Sequence, residues 1–252
     1  MKHDYLSPLD RLVALGEPAF GHTEWMDYPT RFGLTPEHVP ELIRMLLDPR
    51  WAQAHETSPA VYSAIHAWRA LAQLRAQAAV PALLWVLREA AEDDDWVTED
   101  LSTVFQHIGA PSYAPLVALF MDRSQPERVR GRAASALADV AAAAPELRPD
   151  AVRVLTRALD AYTPESPSMH GYIVTALLDL RAVESLPFLR RAYEEDRVDE
   201  GYVQWRDVEA ELGLVEGPAV SVQEPLLSRH ERRERERALQ KLAKKLRKRD
   251  RR

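Results

Sequence analysis

A two-helix unit recurs along this chain. The segments beginning at His66, Leu101, Val129 and Gly171 align so that Leu74, Ile108, Val140 and Leu180 share one position, 34, 32 and 40 residues apart. Leu71, Phe105, Leu137 and Leu177 share the position three residues earlier, and Pro81, Pro115 and Pro187 fall seven residues after three of the four. A period of this length means stacked helical pairs. Spacings such as Leu71/Leu74 on the first helix and Leu83/Leu84/Leu87 on the second give each helix an apolar stripe too wide for its own hairpin to cover. The next pair must cover it. Small residues in the first helices (Ala67, Ala70, Ala72; Ala133, Ala134, Ala136, Ala138) allow close approach. The expectation is an all-α, right-handed α-solenoid of about five helical pairs, with a basic C-terminal helix.

Helix starts are legible. Gly is scarce, at 9, but Pro is not, at 18, and many prolines sit where helices should begin. Ser7-Pro8, Thr35-Pro36, Ser58-Pro59 and Ser166-Pro167 each pair a capping hydroxyl with proline at the first helical position, where the missing N–H costs nothing. Asp95 reads as the cap of a helix from Trp96. Apolar periodicity predicts helices over 8–16, 36–48, 59–74, 77–91, 96–108, 111–122, 126–143, 149–161, 167–181, 183–196, 204–212 and 229–248, and no segment alternates with period two. Residues 17–34 read as an irregular aromatic loop capping the first repeat. The repeat domain is expected over 1–213, a linker over 214–228, and a basic amphipathic helix over 229–252.

At these residues the chain resembles the HEAT-like repeat proteins of the phycobilisome-lyase type. Val129–Val140 (VRGRAASALADV) is similar to that family's first helix, with Val-Arg, small residues and Ala-Leu. Pro8–Pro18, Leu34–Met45, His66–Ala76, Asp93–Leu101, Asp196–Glu200 and Asp207–Leu214 also resemble a group of uncharacterised bacterial HEAT-like proteins. The resemblance implies a helical superhelix over the body and no particular activity. Some relatives in that group carry a Cys-rich zinc motif at the C-terminus; this chain has no Cys, so that site does not carry over.

Chemistry is hard to find. The absence of Cys excludes disulfides, thiolate metal sites and a Cys nucleophile. Phosphate-loop, dinucleotide and nucleophile-elbow motifs do not occur. The HEAT-like di-iron hydroxylases use several converging His-Glu pairs, whereas the body here has only His55-Glu56, with His230-Glu231 in the tail. Bilin lyase activity finds no residue to carry it. His66, His107 and His170 read as structural histidines on the first helices rather than as ligands. Asp93, Asp94 and Asp95 read as helix capping rather than a calcium loop, whose alternating ligands are missing. Trp68 and Trp85 are expected to pack between neighbouring helices. Trp96, beside acids at a helix start, is a candidate surface anchor, set against ordinary packing. No cofactor, metal or catalytic residue is expected.

Charge is unevenly spread. Residues 229–252 hold thirteen Lys/Arg against four Asp/Glu, a net of +9, within a chain whose total is −6; the rest is therefore −15. Leu239, Leu242, Ala243 and Leu246 give the tail an apolar stripe among cations. Its candidate anion-binding residues are Arg232, Arg233, Lys241, Lys244, Lys245, Arg247 and Lys248. One reading is contact with nucleic acid, ribosome or an anionic membrane surface; the other is a tail that folds back on the acidic body. No secretory signal and no membrane-length apolar run is seen, which fits a cytoplasmic protein.

The function expected is a non-catalytic protein-interaction scaffold. The second helices of each pair are expected to line the concave face, with Arg88, Glu89, Arg123, Arg157, Arg190 and Arg191 meeting a protein partner. A nucleic-acid- or ribosome-associated protein anchored by its tail is the first rival. A duplex cradled on the concave face, as in HEAT-like alkylpurine DNA glycosylases, would need a basic body. An enzyme of the lyase or hydroxylase kind is the second rival.

Overall fold

A computed structural model of the protein describes residues 4–19, 25–55, 57–91, 94–161 and 166–214. Among them every regular element is helical. Twelve α-helices follow one another: α1 (Asp10–Val13), α2 (Tyr28–Phe32), α3 (Val39–Leu46), α4 (Ser63–Gln73), α5 (Val80–Glu89), α6 (Asp95–Ile108), α7 (Tyr113–Met121), α8 (Glu127–Ala143), α9 (Arg148–Asp160), α10 (Pro167–Asp179), α11 (Leu186–Glu194) and α12 (Trp205–Glu211). Met1–Leu214 forms one compact unit. The expected linker beyond Leu214 and the basic helix lie outside the described residues.

Two rows of helices share a core. In the first row α4 packs on α6, α6 on α8 and α8 on α10. In the second, α3 lies on α4, α5 on α6 and α8, α7 on α8, and α9 between α8, α10 and α11. α8 is the hub, touching α6, α7 and α10 at once. It can do so because Ala133, Ala134, Ala136, Ala138 and Ala141 present only methyl groups, all buried. Gly131 is the tightest point. A Cβ built there would lie 2.5 Å from the Tyr172 ring on α10, inside any tolerable contact.

Three first-row helices, α4, α6 and α10, stop in a way that turns the chain into its partner. Arg75 and Arg181 follow α4 and α10 with left-handed φ of 50° and 49°, and Gly109 follows α6 with φ of 84°. After α4 the amide of Ala76 donates to the Leu71 carbonyl and that of Arg75 to Ala72; after α10 Ala182 donates to Leu177 and Arg181 to Leu178. These paired bonds satisfy carbonyls the helix leaves open. A single 3-10 turn follows each stop, at Gln77–Ala79, Ala110–Ser112 and Val183–Ser185, and leads into α5, α7 and α11. Pro81 and Pro187 stand second in α5 and α11, where an N–H has no partner.

Arginines reach the ends of four helices. Arg130 Nε donates to the Phe120 carbonyl at the end of α7, Arg128 Nη1 to Ala90 after α5, Arg197 Nη1 to Leu159 in the last turn of α9, and Arg148 Nε to Leu180 after α10. A cation there meets both an unpaired carbonyl and the negative end of the helix dipole.

Several caps fall where the sequence places them. Ser58 Oγ accepts from Ala60 N, and Ser166 Oγ from Met169 N. Three expectations are corrected. Ser7 does not cap α1, which begins at Asp10, because burial of Leu9 and Leu12 decides where that short turn closes. The cap of α6 is Asp94 rather than Asp95: its carboxylate accepts from Val97 N, a register set by burial of Val97, Leu101 and Val104. The stretch 17–34 is not wholly irregular, since it contains α2, capped by Asp27 and closed by Gly33 at φ 67°.

Replacing Gly131 by Ala is expected to cost about 1–3 kcal/mol of unfolding free energy in urea denaturation, the usual penalty of overpacking. Adding Tyr172→Ala to that variant should recover part of the loss; equal stability of wild type and Gly131→Ala would show that α8 and α10 have room to spare.

Candidate functional site

A cluster of buried polar residues lies at the N-terminal end of the first row. Arg69, on α4, is 1% exposed, and Asp100, on α6, is fully buried. The guanidinium grips the carboxylate at both ends, Nε to Oδ2 at 2.6 Å and Nη2 to Oδ1 at 3.0 Å. Trp68 Nε1 donates to the same Oδ2 at 3.0 Å, and Arg69 Nη1 donates to the Ala19 carbonyl. The guanidinium carbon lies 5.0 Å from the Trp25 ring centroid and 5.6 Å from that of Trp96. One turn earlier on α4, His66 Nε2 donates to the Gly16 carbonyl, leaving Nδ1 to accept from the Tyr28 hydroxyl at 2.7 Å. Burial first, and the Arg69 cation as well, hold the His66 imidazole below its ordinary pKa; burial pushes the Tyr28 phenol up to about 12.

The cluster joins Gly16, Ala19, Trp25 and Tyr28 to α4 and α6. Arg69 engages Nε, Nη1 and Nη2, and Asp100 engages both oxygens, so the cluster spends its polar groups on itself. Such a pair is a clasp: in a dry interior its removal costs more than its presence gains. Sequence reading passed over it. The one available signal was a charged residue, Arg69, within the apolar stretch 65–72.

The histidines sit in structural roles. His170 Nδ1 lies 2.8 Å from the Arg197 carbonyl, and His107 stacks on Trp25 at 5.3 Å. His55 contacts the Thr57 hydroxyl. Among the described residues no group of three or more His, Asp or Glu is placed to hold a metal ion. None of the described helices is long and apolar enough to cross a membrane.

The candidate contact residues lie on the second row and its loops. Arg88 and Glu89 end α5, Arg123 follows α7, Arg157 is on α9, and Arg190 and Arg191 are on α11. Glu89, Arg123, Arg157, Arg190 and Arg191 are exposed and Arg88 partly so. They are not equally placed. Arg191 pairs with Asp160 on α9, and Arg190 lies over the Trp205 ring at 5.3 Å. Ser124 first, then Gln125, hold the Asp122 carboxyl below the usual range, with the Arg88 cation adding to the effect. The ends of α5 and α7 meet the same turn of α8, where Arg128 Nη1 donates to the Ala90 carbonyl and Arg130 Nε to the Phe120 carbonyl. Trp96 stands apart on the first row, partly buried and edge-on to Tyr62. The tail candidates Arg232, Arg233, Lys241, Lys244, Lys245, Arg247 and Lys248 lie outside the described residues.

Trp85 is a correction. It does not pack between helices but stands 50% exposed on α5. Leu83, Leu84 and Leu87 own the buried side of that helix, and residue 85 falls on the opposite side of the turn.

One family model, described as a protein of unknown function (DUF1186), matches residues 36–232. No curated protein and no solved structure matches the chain.

Asp100→Asn is expected to cost about 3–5 kcal/mol, since it strands a buried guanidinium, whereas Arg69→Met with Asp100→Leu should unfold near wild type. A second measurement follows from His66. Its folded pKa lies below the unfolded 6.5, so the neutral form contributes stability above that pH that is lost as pH falls through the folded value. A His66→Gln variant should therefore lose less stability than wild type on acidification from neutral pH; parallel curves would remove His66 from the account.

Proposed function

The chain belongs to the DUF1186 family of proteins of unknown function, and we propose that it is a non-catalytic scaffold that holds a protein partner on the second row of helices. In this reading the body is a right-handed, HEAT-like α-solenoid of about five pairs in a cytoplasmic protein. Its second-row helices line the concave face, and Arg88, Glu89, Arg123, Arg157, Arg190 and Arg191 are contact residues, with Trp96 as an outlying aromatic contact.

One contrast carries the reading. The buried polar cluster of Arg69, Asp100, His66, Trp68 and Tyr28 is bonded to itself. Glu89, Arg123, Arg157 and Arg190 are instead exposed, on or just beyond helices whose opposite sides build the core. A repeat fold that buries its chemistry and displays its charges is suited to recognition rather than reaction. Arginine is also enriched among residues that dominate binding energy.

The sequence favours a second reading for the tail alone. Its net charge of +9 suits a polyanion, and binding of that kind weakens steeply with salt.

The test is co-purification from lysate, with and without nuclease, using the full chain, a chain ending at Ser228, and the full chain carrying Arg157→Glu and Arg190→Glu. A partner that stays with the shortened chain after nuclease and is lost with the double substitution is the expected result. Loss of all binding on removing the tail, or on nuclease treatment, would overturn the scaffold reading in favour of a nucleic-acid- or ribosome-associated protein.

A further inference from the structure

Charge is not evenly divided along the second row. α3 and α5 each carry one glutamate and one arginine, and α7 carries no charge. α9 carries three arginines against two aspartates, and α11 two arginines against one glutamate. These two net-positive helices belong to a chain whose first 228 residues sum to −15. They are packed together: the Thr156 and Ser185 hydroxyls are hydrogen-bonded at 2.7 Å, and Arg191 on α11 pairs with Asp160 on α9. Asp150 and Asp160 are partly buried, whereas Arg153, Arg157, Arg190 and Arg191 are exposed, so the cations form the outer layer.

The four arginines are in different states. Arg153 pairs with Asp150, and Arg191 with Asp160. Arg157 meets no acid among the described residues; Arg190 meets none either, and lies over the Trp205 ring at 5.3 Å. That ring is itself held. Tyr193 stands edge-on to it at 5.3 Å, and the Tyr193 hydroxyl donates to the Val203 carbonyl at 2.9 Å. A guanidinium resting on a fixed ring loses little further freedom on binding, and its N–H groups remain available to a carboxylate.

We propose that α9 and α11 bind an acidic segment of a protein partner, with its carboxylates on Arg157 and Arg190. The proposal rests on the second row being the interaction face, and it names the chemistry of the partner there. Arg157 stands one turn before Asp160 on α9, and Arg190 next to Arg191 on α11, so the Arg191–Asp160 pair brings both to one stretch of surface.

Helix packing sets the spacing that the partner needs. Axes of packed helices lie about 8–10 Å apart, and an extended chain advances about 3.3 Å per residue, so acids about three residues apart reach both arginines. A short acidic segment also suits the field better than a nucleic acid. Polynucleotide charge continues past the two helices and meets a body of net −15, which repels it. A peptide with few acids ends where the arginines end.

The test is fluorescence anisotropy of a labelled peptide with Glu at every third position, and of its Gln counterpart. The protein is the full chain with the nine Lys and Arg residues of 232–248 changed to Gln, which brings the tail from +9 to neutral. Binding of the Glu peptide and not of the Gln peptide is expected, weakening as salt rises. Arg157→Glu with Arg190→Glu should weaken it at least about tenfold. Arg31→Glu with Arg75→Glu changes two exposed arginines on α2 and after α4. That pair makes the same change in net charge and should leave binding within about twofold. Arg190→Lys keeps the charge but not the planar contact with Trp205, and should weaken binding about threefold. Equal loss in the two charge-matched pairs overturns the proposal, as does a chain that binds neither peptide. A single-stranded oligonucleotide that binds better than the Glu peptide, and is lost with Arg157→Glu and Arg190→Glu, also overturns it, because the face then holds nucleic acid. If the Glu peptide fails while a protein partner captured from lysate still requires Arg157 and Arg190, the acidic chemistry falls and the scaffold reading stands.

Discussion

The close packing of α8 between α6, α7 and α10 is the constraint on which the rest of the described structure depends. Three helices approach one helix only if that helix has almost no side chain to keep them away, and α8 supplies alanines and Gly131 along its length. Each contact of this kind gains little from the small side chain itself. The gain lies with the larger neighbours that α8 lets meet: Phe105 and Ile108 from α6, Leu116 and Phe120 from α7, and Ile173 and Leu177 from α10 are all buried. An enlarged residue on α8 would therefore part several elements at once.

A fold made of short helices has many helix ends, and every end leaves carbonyls without partners. Here α4 and α10 close with left-handed residues and paired backbone bonds, while arginines from other elements reach α5, α7, α9 and α10. The two devices differ in consequence. The backbone bonds are local and fix the direction in which each pair turns. The arginines are long-range and tie one pair to another, because Arg130, Arg148 and Arg197 sit on or beside a different helix from the one they cap. Part of the chain's abundant charge is thus consumed inside the fold, and only the remainder is left on the surface.

Helical pairs and most of their starts were legible in the sequence because they are set by short-range causes. Apolar spacing, a capping hydroxyl and proline at the first turn act within a few residues, and the helices from α3 to α12 fall close to where those signals put them. Sequence reading failed where the cause was distant. The Arg69–Asp100 clasp joins residues 31 positions apart, and nothing local to either residue announces the other. Trp85 failed for a different reason: its size suggested burial, but the leucines beside it claim the only buried side that α5 has. The cap of α6 shifted by one residue because burial of Val97 sets the register, and among several consecutive acids any could cap in principle.

The sequence by itself determined that the chain is helical, that its helices pair, and which residues are small enough to let one pair lie on the next. Those properties follow from periodicity and side-chain volume, which are written in one dimension. Only the tertiary structure decided which charges are consumed in capping and clasping and which stand in solvent, and which flank of each helix is left uncovered. Exposure is a property of the neighbours a residue acquires, and in a stack of pairs those neighbours come from 30 to 40 residues away.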